Sequence, residues 1–160
     1  MIVVADATPL IALAKINKLD ILADLFDRVI LPQSVYDEVV TQAADKAGSA
    51  DIKKADFFDI RSASDQSKVR YLLATLDAGE SEALVLAEEL AADLVLLDEK
   101  KARGIAEKIG LHYTGTIGLL LAAKKKGRVK SLRPLLDELR AKSFRLGETL
   151  YLQILDIAGE

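Results

Sequence analysis

Two short apolar runs in this chain each end in an aspartate: Ile2-Val3-Val4-Ala5 before Asp6, and Leu94-Val95-Leu96-Leu97 before Asp98. Four consecutive apolar residues rich in Val, Ile and Leu mark a strand buried on both faces, the situation of a parallel sheet covered by helices. Parallel strands need crossover connections, usually helical, so the sequence between such runs must supply helices. Side chains just past the carboxyl ends of these strands line the crevice where open α/β sheets bind ligands. Two carboxylates gathered there repel each other unless something positive sits between them. A divalent cation such as Mg²⁺ or Mn²⁺, which prefers oxygen ligands, is the simplest such group.

The rest of the chain reads as alternating strands and helices. Ile2 to Ala5 is the first strand, and Thr8-Pro9 opens a helix with Thr8 as N-cap and Pro9 at its first position. A short helix over Asp20 to Phe26 and a strand over Arg28 to Leu31 follow. Ser34 caps a helix to about Ala44. The polar stretch from Ala43 to Ser67 holds a short helix near Ile52 and a strand at Phe57 to Ile60. Lys68 to Leu76 and Gly79 to Ala91 read as helices, the second with Ala83, Leu84, Ala87 and Leu90 inward. After the strand Leu94 to Leu97 come a helix from Glu99 to Lys108, a strand at Leu111 to Tyr113 and a helix from Thr116 to Lys126. Ser131 caps a helix to about Lys142, and Glu148 to Ala158 is a last amphipathic helix. This alternation predicts one α/β domain over residues 1–160, with a mostly parallel sheet.

Composition removes several classes of chemistry. The 160 residues include no cysteine, which excludes a disulfide framework, a thiolate zinc site and a cysteine nucleophile. The single histidine, His112, has no nucleophile-elbow motif to serve, and reads as a residue near a strand. The four-residue apolar start lacks a cationic segment and a cleavage site, so it is not read as a signal peptide. No apolar stretch approaches the length of a membrane span. The expected location is cytoplasmic, with no membrane partner. A net charge of −3 means that binding to nucleic acid must use a local basic patch.

Five carboxylates stand out by position. Asp6 and Asp98 end buried strands; either could instead be a turn or capping aspartate. Glu38 lies beside the apolar face traced by Val35 and Val39, where a helix N-terminus also favours a solvated glutamate. Glu80 and Glu82 stand at the entrance of a helix that continues as Ala83-Leu84-Val85-Leu86-Ala87, and two residues apart they face about 200° apart around it. Lys100, Lys101 and Arg103 follow Asp98 directly and are the cations best placed to meet a phosphate backbone. Thr8 could bind a metal-bound water or a phosphate. The denser basic run of Lys124, Lys125, Lys126, Arg128, Lys130 and Arg133 also suits a helix C-terminus.

Taken together, these segments resemble a known family. Val3-Val4-Ala5-Asp6-Ala7-Thr8-Pro9-Leu10, Leu31-Pro32-Gln33-Ser34-Val35-Tyr36-Asp37-Glu38-Val39, Gly79-Glu80-Ser81-Glu82-Ala83-Leu84 and Leu96-Leu97-Asp98-Glu99-Lys100-Lys101-Ala102-Arg103 are similar in type and order to the motifs of PIN-domain proteins, in the branch of VapC-like toxins. Thr114-Gly115-Thr116-Ile117-Gly118-Leu119-Leu120 and the Ala123-to-Gly127 segment also look like this branch. The resemblance implies a three-layer PIN-like fold with a central sheet of four to five strands. It implies a Mg²⁺- or Mn²⁺-dependent ribonuclease, the toxin of a toxin–antitoxin pair, whose partners are an RNA substrate and a cognate antitoxin protein. Carried over by position, Asp6, Glu38, Glu82 and Asp98 form the catalytic and metal-binding cluster, with Glu80 as an alternate or outer member and Thr8 as the small hydroxyl residue after the first aspartate. Many PIN nucleases have aspartate where Glu82 stands, and the longer side chain shifts weight toward Glu80.

Two other readings compete. A module with the same fold could bind nucleic acid or protein without cleaving. A phosphotransfer domain using Asp6 as nucleophile fits less well, because Thr8 occupies the place of its second acid. The leucines at 135, 136, 139, 150, 152 and 155 exceed the obvious needs of one small core, which predicts a homodimer face on the helices at 8–26 or 131–158.

Overall fold

The computed structural model describes residues 1–46 and 48–160. The strands are β1 (Val3–Ala5), β2 (Val29–Pro32), β3 (Phe58–Arg61), β4 (Leu94–Leu96) and β5 (Tyr113–Thr114). Among the described residues they form one fully parallel sheet in the order β3-β2-β1-β4-β5. The chain builds outward from β1 to β3, then crosses back to lay β4 on the other side of β1. The order therefore reverses between β1 and β4, and the crevice at their carboxyl ends is the switch point of the sheet. The register sets Ala5 beside Leu96, and the Asp6 amide donates to the Leu96 carbonyl at 3.0 Å.

Strand alternation feeds two cores. Val3, Ala5, Val29, Leu31 and Leu96 point to one face, Val4, Ile30, Val95 and Leu97 to the other, all buried. The first face is covered by α1 (Ala7–Lys15), α2 (Ile21–Phe26), α3 (Gln33–Tyr36), α4 (Ser49–Lys54), α8 (Thr116–Lys125), α9 (Arg133–Ala141) and α10 (Glu148–Ile157). The second is covered by α5 (Gln66–Leu72), α6 (Ala78–Glu89) and α7 (Lys100–Lys108). The result is a three-layer α/β fold around a central parallel sheet. Helix α6 is buried from Gly79 to Ala87, because it packs on the sheet with α3, α5 and α7 around it. Among the described residues no helix is long and apolar enough to cross a membrane.

Helix starts are where the sequence reading fails most often. The N-cap of α1 is Asp6 rather than Thr8, which lies inside the first turn. Pro32 rather than Ser34 precedes α3, and the Ser34 hydroxyl turns to Glu82 instead. The helix expected to run to Ala44 changes pitch: Asp37–Thr41 is a π-helical turn, closed by the Gln42 amide on the Asp37 carbonyl at 2.7 Å. That wider turn buries both Val39 and Val40. Asp65 and Asp77 cap α5 and α6, each accepting the backbone N–H three residues on.

Ser131 does not cap α9 either; its hydroxyl donates to the Glu160 carboxylate at 2.5 Å. That carboxylate also accepts the amides of Leu132 and Arg133 and pairs with Lys124 at 2.7 Å, so one side chain closes the start of α9 against the end of α8. Lys124 is thus committed to structure, not to a free basic run. Leu136, Leu139 and Leu155 are core residues rather than a spare face, while Leu150 and Leu152 are about half exposed.

The four donors hold the Glu160 carboxyl near pKa 2, well below its ordinary 4.5. A lowered carboxylate contributes stability above its unfolded pKa and loses it as pH falls through the folded one. Glu160→Ala is expected to cost about 1–2 kcal/mol at pH 7, the scale of a lost helix cap. In urea titrations the gap between wild type and variant should close as the pH drops from 4.5 towards 2.

Candidate active site

Asp6 sits where β1 meets α1, under the helix that begins at Ala7, and is 2% exposed. Its Oδ1 is buried without a hydrogen-bond partner. Gly79, in the first turn of α6, leaves open the space this oxygen faces. A Cβ there would stand 3.1 Å from Asp6 Oδ1 and 3.3 Å from Glu38 Oε2, with Val35 on the third side. Glu38 reaches that space from the π-helical turn, so two carboxylates from different elements converge on one small gap.

Glu80 completes the group from α6. Its amide is capped by Asp77, and its buried carboxyl lies against the Asp77 carboxyl. Burial pushes the Asp6 carboxyl up to about 7; the Ala7 amide opposes this, and the charges of Asp77, Glu80 and Glu38 add to it. Burial, then Asp77, likewise pushes Glu80 up to about 7, with Glu99 adding to the rise. Glu38 is raised by burial and by Asp77. All of these groups are acids, so without a cation their mutual repulsion is relieved by protonation. Among the described residues no three carboxylates are grouped, as they stand, to hold a metal ion.

The other two expected ligands are already engaged. Glu82 Oε1 accepts the Ser34 amide and hydroxyl, both at 2.9 Å, and Oε2 accepts the Ala63 amide at 3.3 Å. As the chain stands, Glu82 is turned to Ser34 and to the loop after β3, while Glu80, on the same helix, lies by Asp77. Asp98 stands at the crevice but accepts the Thr116 amide at 2.9 Å and its hydroxyl at 2.6 Å, with Arg103 at 3.6 Å. It closes the N-terminus of α8, which is remote in sequence, rather than that of α7. Gly115 makes this approach possible, since a Cβ there would overlap Arg103 and Asp98.

Arg103 is a strut as well as a cation. Its Nε donates to the Leu97 carbonyl at 2.8 Å, and its guanidinium lies 5.2 Å from the centre of the Tyr113 ring. Lys100 and Lys101 are exposed and pair with no carboxylate among the described residues. Thr8 lines a cleft beside Asp98. His112 contributes its backbone carbonyl to the Val95 amide. Sequence reasoning missed Asp77, which borders every carboxylate in the group. Its signal was present in Asp77-Ala78-Gly79-Glu80, the spacing of a capping box.

A protein-family model described as PIN domain matches residues 2–160. The chain belongs to the PIN-domain family. No curated protein matches the chain. PIN domains are commonly nucleases that use divalent metals, so membership assigns this PIN domain a nuclease-type function in general terms. The two oxygens that face the gap which glycine keeps clear, Asp6 Oδ1 and Glu38 Oε2, are donors of the type such an ion takes.

Asp6→Asn removes a carboxylate whose ionisation the folded PIN domain disfavours. A raised acid pKa costs stability above the unfolded value near 3.8, and the cost grows until about pH 7. In EDTA at pH 8 the variant should therefore be more stable than wild type by up to about 4 kcal/mol, with the difference vanishing near pH 4. Glu82→Ala should do the opposite, losing about 2–3 kcal/mol at both pH values because it strands the Ser34 and Ala63 amides. Chemical denaturation at the two pH values separates the two roles.

Proposed function

We propose that this PIN domain is a Mg²⁺- or Mn²⁺-dependent endoribonuclease, and that it is the toxin of a toxin–antitoxin pair of the VapC-like kind. The observation that carries the reading is the buried, unpartnered Asp6 Oδ1 facing Glu38 across the gap at Gly79. A buried anionic oxygen with no donor is costly, and a cation relieves that cost. Asp6, Glu38 and Glu80 would hold the ion, with Asp98 at the crevice edge and Asp77 behind Glu80. When bound, the ion supplies an activated water and charge relief on the leaving oxygen.

The residues themselves divide the remaining work. Asp6 is fixed by the end of β1 and cannot turn away, so it sets the position of the site. Glu38 and Glu80 come from two helices and close on it. Arg103 holds the Leu97 carbonyl and Asp98, which keeps the β4 end of the crevice in shape. Lys100 and Lys101, exposed just beyond Asp98, meet substrate phosphates. The absence of a histidine near the crevice agrees with a mechanism whose base is not a side-chain imidazole. A cytoplasmic location, a cognate antitoxin and a homodimer using the exposed Leu150 and Leu152 belong to this reading, supported by the motif resemblance and by the exposure of those two leucines.

Calorimetric Mn²⁺ titration, with RNA cleavage measured in parallel, tests the proposal. Wild type should bind Mn²⁺ more tightly as pH rises from 5.5 to 8, because protons held near pH 7 on Asp6 and Glu80 must leave. Asp6→Asn and Glu80→Gln should each weaken binding by about 100-fold and abolish cleavage. Glu82→Gln should keep binding within a few-fold of wild type. Binding indifferent to Asp6→Asn, with no cleavage, would overturn the nuclease and favour a PIN domain that only binds.

A further inference from the structure

Asp98 leaves the sheet at the same end as Asp6, on the next strand, since the register of β1 and β4 sets Ala5 beside Leu96. Asp6 is buried, but the Asp98 side chain is 14% exposed and meets a cleft of about 880 Å³ that Glu99, Arg103 and Gly115 also line. A carboxylate with open space before it is free to turn unless something grips it. Thr116 grips this one from the buried side with both of its donors: the amide on Oδ1 at 2.9 Å and the hydroxyl on Oδ2 at 2.6 Å. One donor on each oxygen fixes the plane of the group as well as its position. A carboxylate offers about four lone-pair sites, so the grip leaves others free.

The hydroxyl is the half of this grip that helix capping does not explain. The first amides of α8 lack partners inside the helix, and Asp98 accepts one of them from 18 residues away. That needs a single oxygen, as at α5 and α6, where Asp65 and Asp77 each accept one amide. At α8 the second oxygen is taken as well, by a side chain that closes no helix end. Thr116 is wholly buried and does not line the cleft, and among the described residues its hydroxyl has no other partner. It therefore reaches a ligand only through Asp98. The neighbours leave room for the same arrangement: a Cβ at Gly115 would overlap Asp98 Oδ1 and Arg103 Nη2, and Arg103 Nε holds the Leu97 carbonyl, just before Asp98, at 2.8 Å.

We propose that Thr116 is a positioning residue of the candidate active site: its hydroxyl sets the direction of the Asp98 carboxylate, so that Asp98 is presented to the ion at the crevice already oriented. The proposal deepens the nuclease reading and rests on it for what Asp98 is presented to. Removing a group that orients a ligating carboxylate typically costs about 10–100-fold in metal affinity or activity. Being buried, Thr116 touches no substrate, so its loss acts on the Asp98 side of the site and leaves the docking of RNA alone.

The test pairs Thr116→Val, which keeps the shape and loses the hydroxyl, with Thr116→Ser, which keeps the hydroxyl and loses a methyl. Mn²⁺ affinity is read by calorimetry, RNA cleavage as kcat and KM, and folding by urea denaturation in EDTA. Both variants should lose stability. Thr116→Val should bind Mn²⁺ about tenfold more weakly or worse and lose kcat with the KM for RNA unchanged, whereas Thr116→Ser should stay within a few-fold of wild type in each. In an Asp98→Asn background, itself weakened, Thr116→Val should have little further effect on affinity, because the two residues act as one unit. Glu160→Ala, destabilised at the far end of α8, should bind Mn²⁺ as wild type does. Equal losses of affinity in the Val and Ser variants, following their stability, would overturn the proposal and leave Thr116 a packing residue. Additive effects of Asp98→Asn and Thr116→Val would overturn the route through Asp98. Wild-type binding unmoved by Thr116→Val would sink the positioning role alone, whereas a wild type that binds no Mn²⁺ would sink the nuclease reading and the positioning role with it.

Discussion

A carboxylate held in the dry end of a parallel sheet is the constraint on which the rest of this molecule turns. Asp6 follows a strand buried on both faces and precedes a helix packed into the core, so its backbone has no freedom to carry the side chain to water. Its charge must be met where it stands, by a proton or by a cation. The surrounding elements bring more acids to the place rather than donors: Glu38 from the π-helical turn, Glu80 from α6, Asp77 behind it. Such a neighbourhood disfavours the ionised form of Asp6 in the folded chain, and the cation proposed above is what would offset that cost.

The contrast with the other carboxylates makes this argument specific. Glu82 spans Ser34 and Ala63, and Glu89, two helical turns further along α6, accepts the amides of Ser64 and Asp65 at 3.0 and 2.7 Å. Asp98 holds the start of α8, and Glu160 the start of α9. Each of these acids ends on backbone N–H groups that would otherwise lack partners, and so acts as a bracket. Asp6 Oδ1 alone among the named carboxylate oxygens is buried without a partner. The same residue type thus serves two purposes, separated by whether donors or other acids face it. The brackets also serve the site, since Glu82 ties the helix that leads to Glu38 against the helix that bears Glu80.

The sheet was legible in the sequence because strands buried on both faces leave short apolar runs closed by turn residues, whereas the comparable run Ala83–Ala87 lies inside the longer helical stretch of α6. The switch-point position of Asp6 and Asp98 followed from the same runs. The different surroundings of Glu80 and Glu82 were not legible, because they depend on the phase of α6 and on Ser34 and Ala63, which are remote in sequence. Thr8, Ser34 and Ser131 were misread as caps for a related reason: a hydroxyl near a helix start caps it only if no other acceptor or donor claims the place, and Glu82 and Glu160, remote in sequence, claim two of them. The π-helical turn left no trace in a pattern read at 3.6 residues per turn. Asp98 on Thr116 is a contact across 18 residues, and nothing local announces it.

Charge is distributed along the crevice and cleft as a gradient rather than a patch. The acids gather where β1 and β4 end, Arg103 stands at the border by the Leu97 carbonyl and Tyr113, and Lys15 at the end of α1 and Arg145 after α9 pair with no carboxylate among the described residues. Had the cations stood among the acids, they would have neutralised Asp6 and closed the site to any ion. Arg103 stands at the boundary: its Nε donates to the Leu97 carbonyl, its guanidinium lies by the Tyr113 ring, and the one acid it pairs with is Asp98, at 3.6 Å, while Asp6, Glu38 and Glu80 pair with no cation among the described residues.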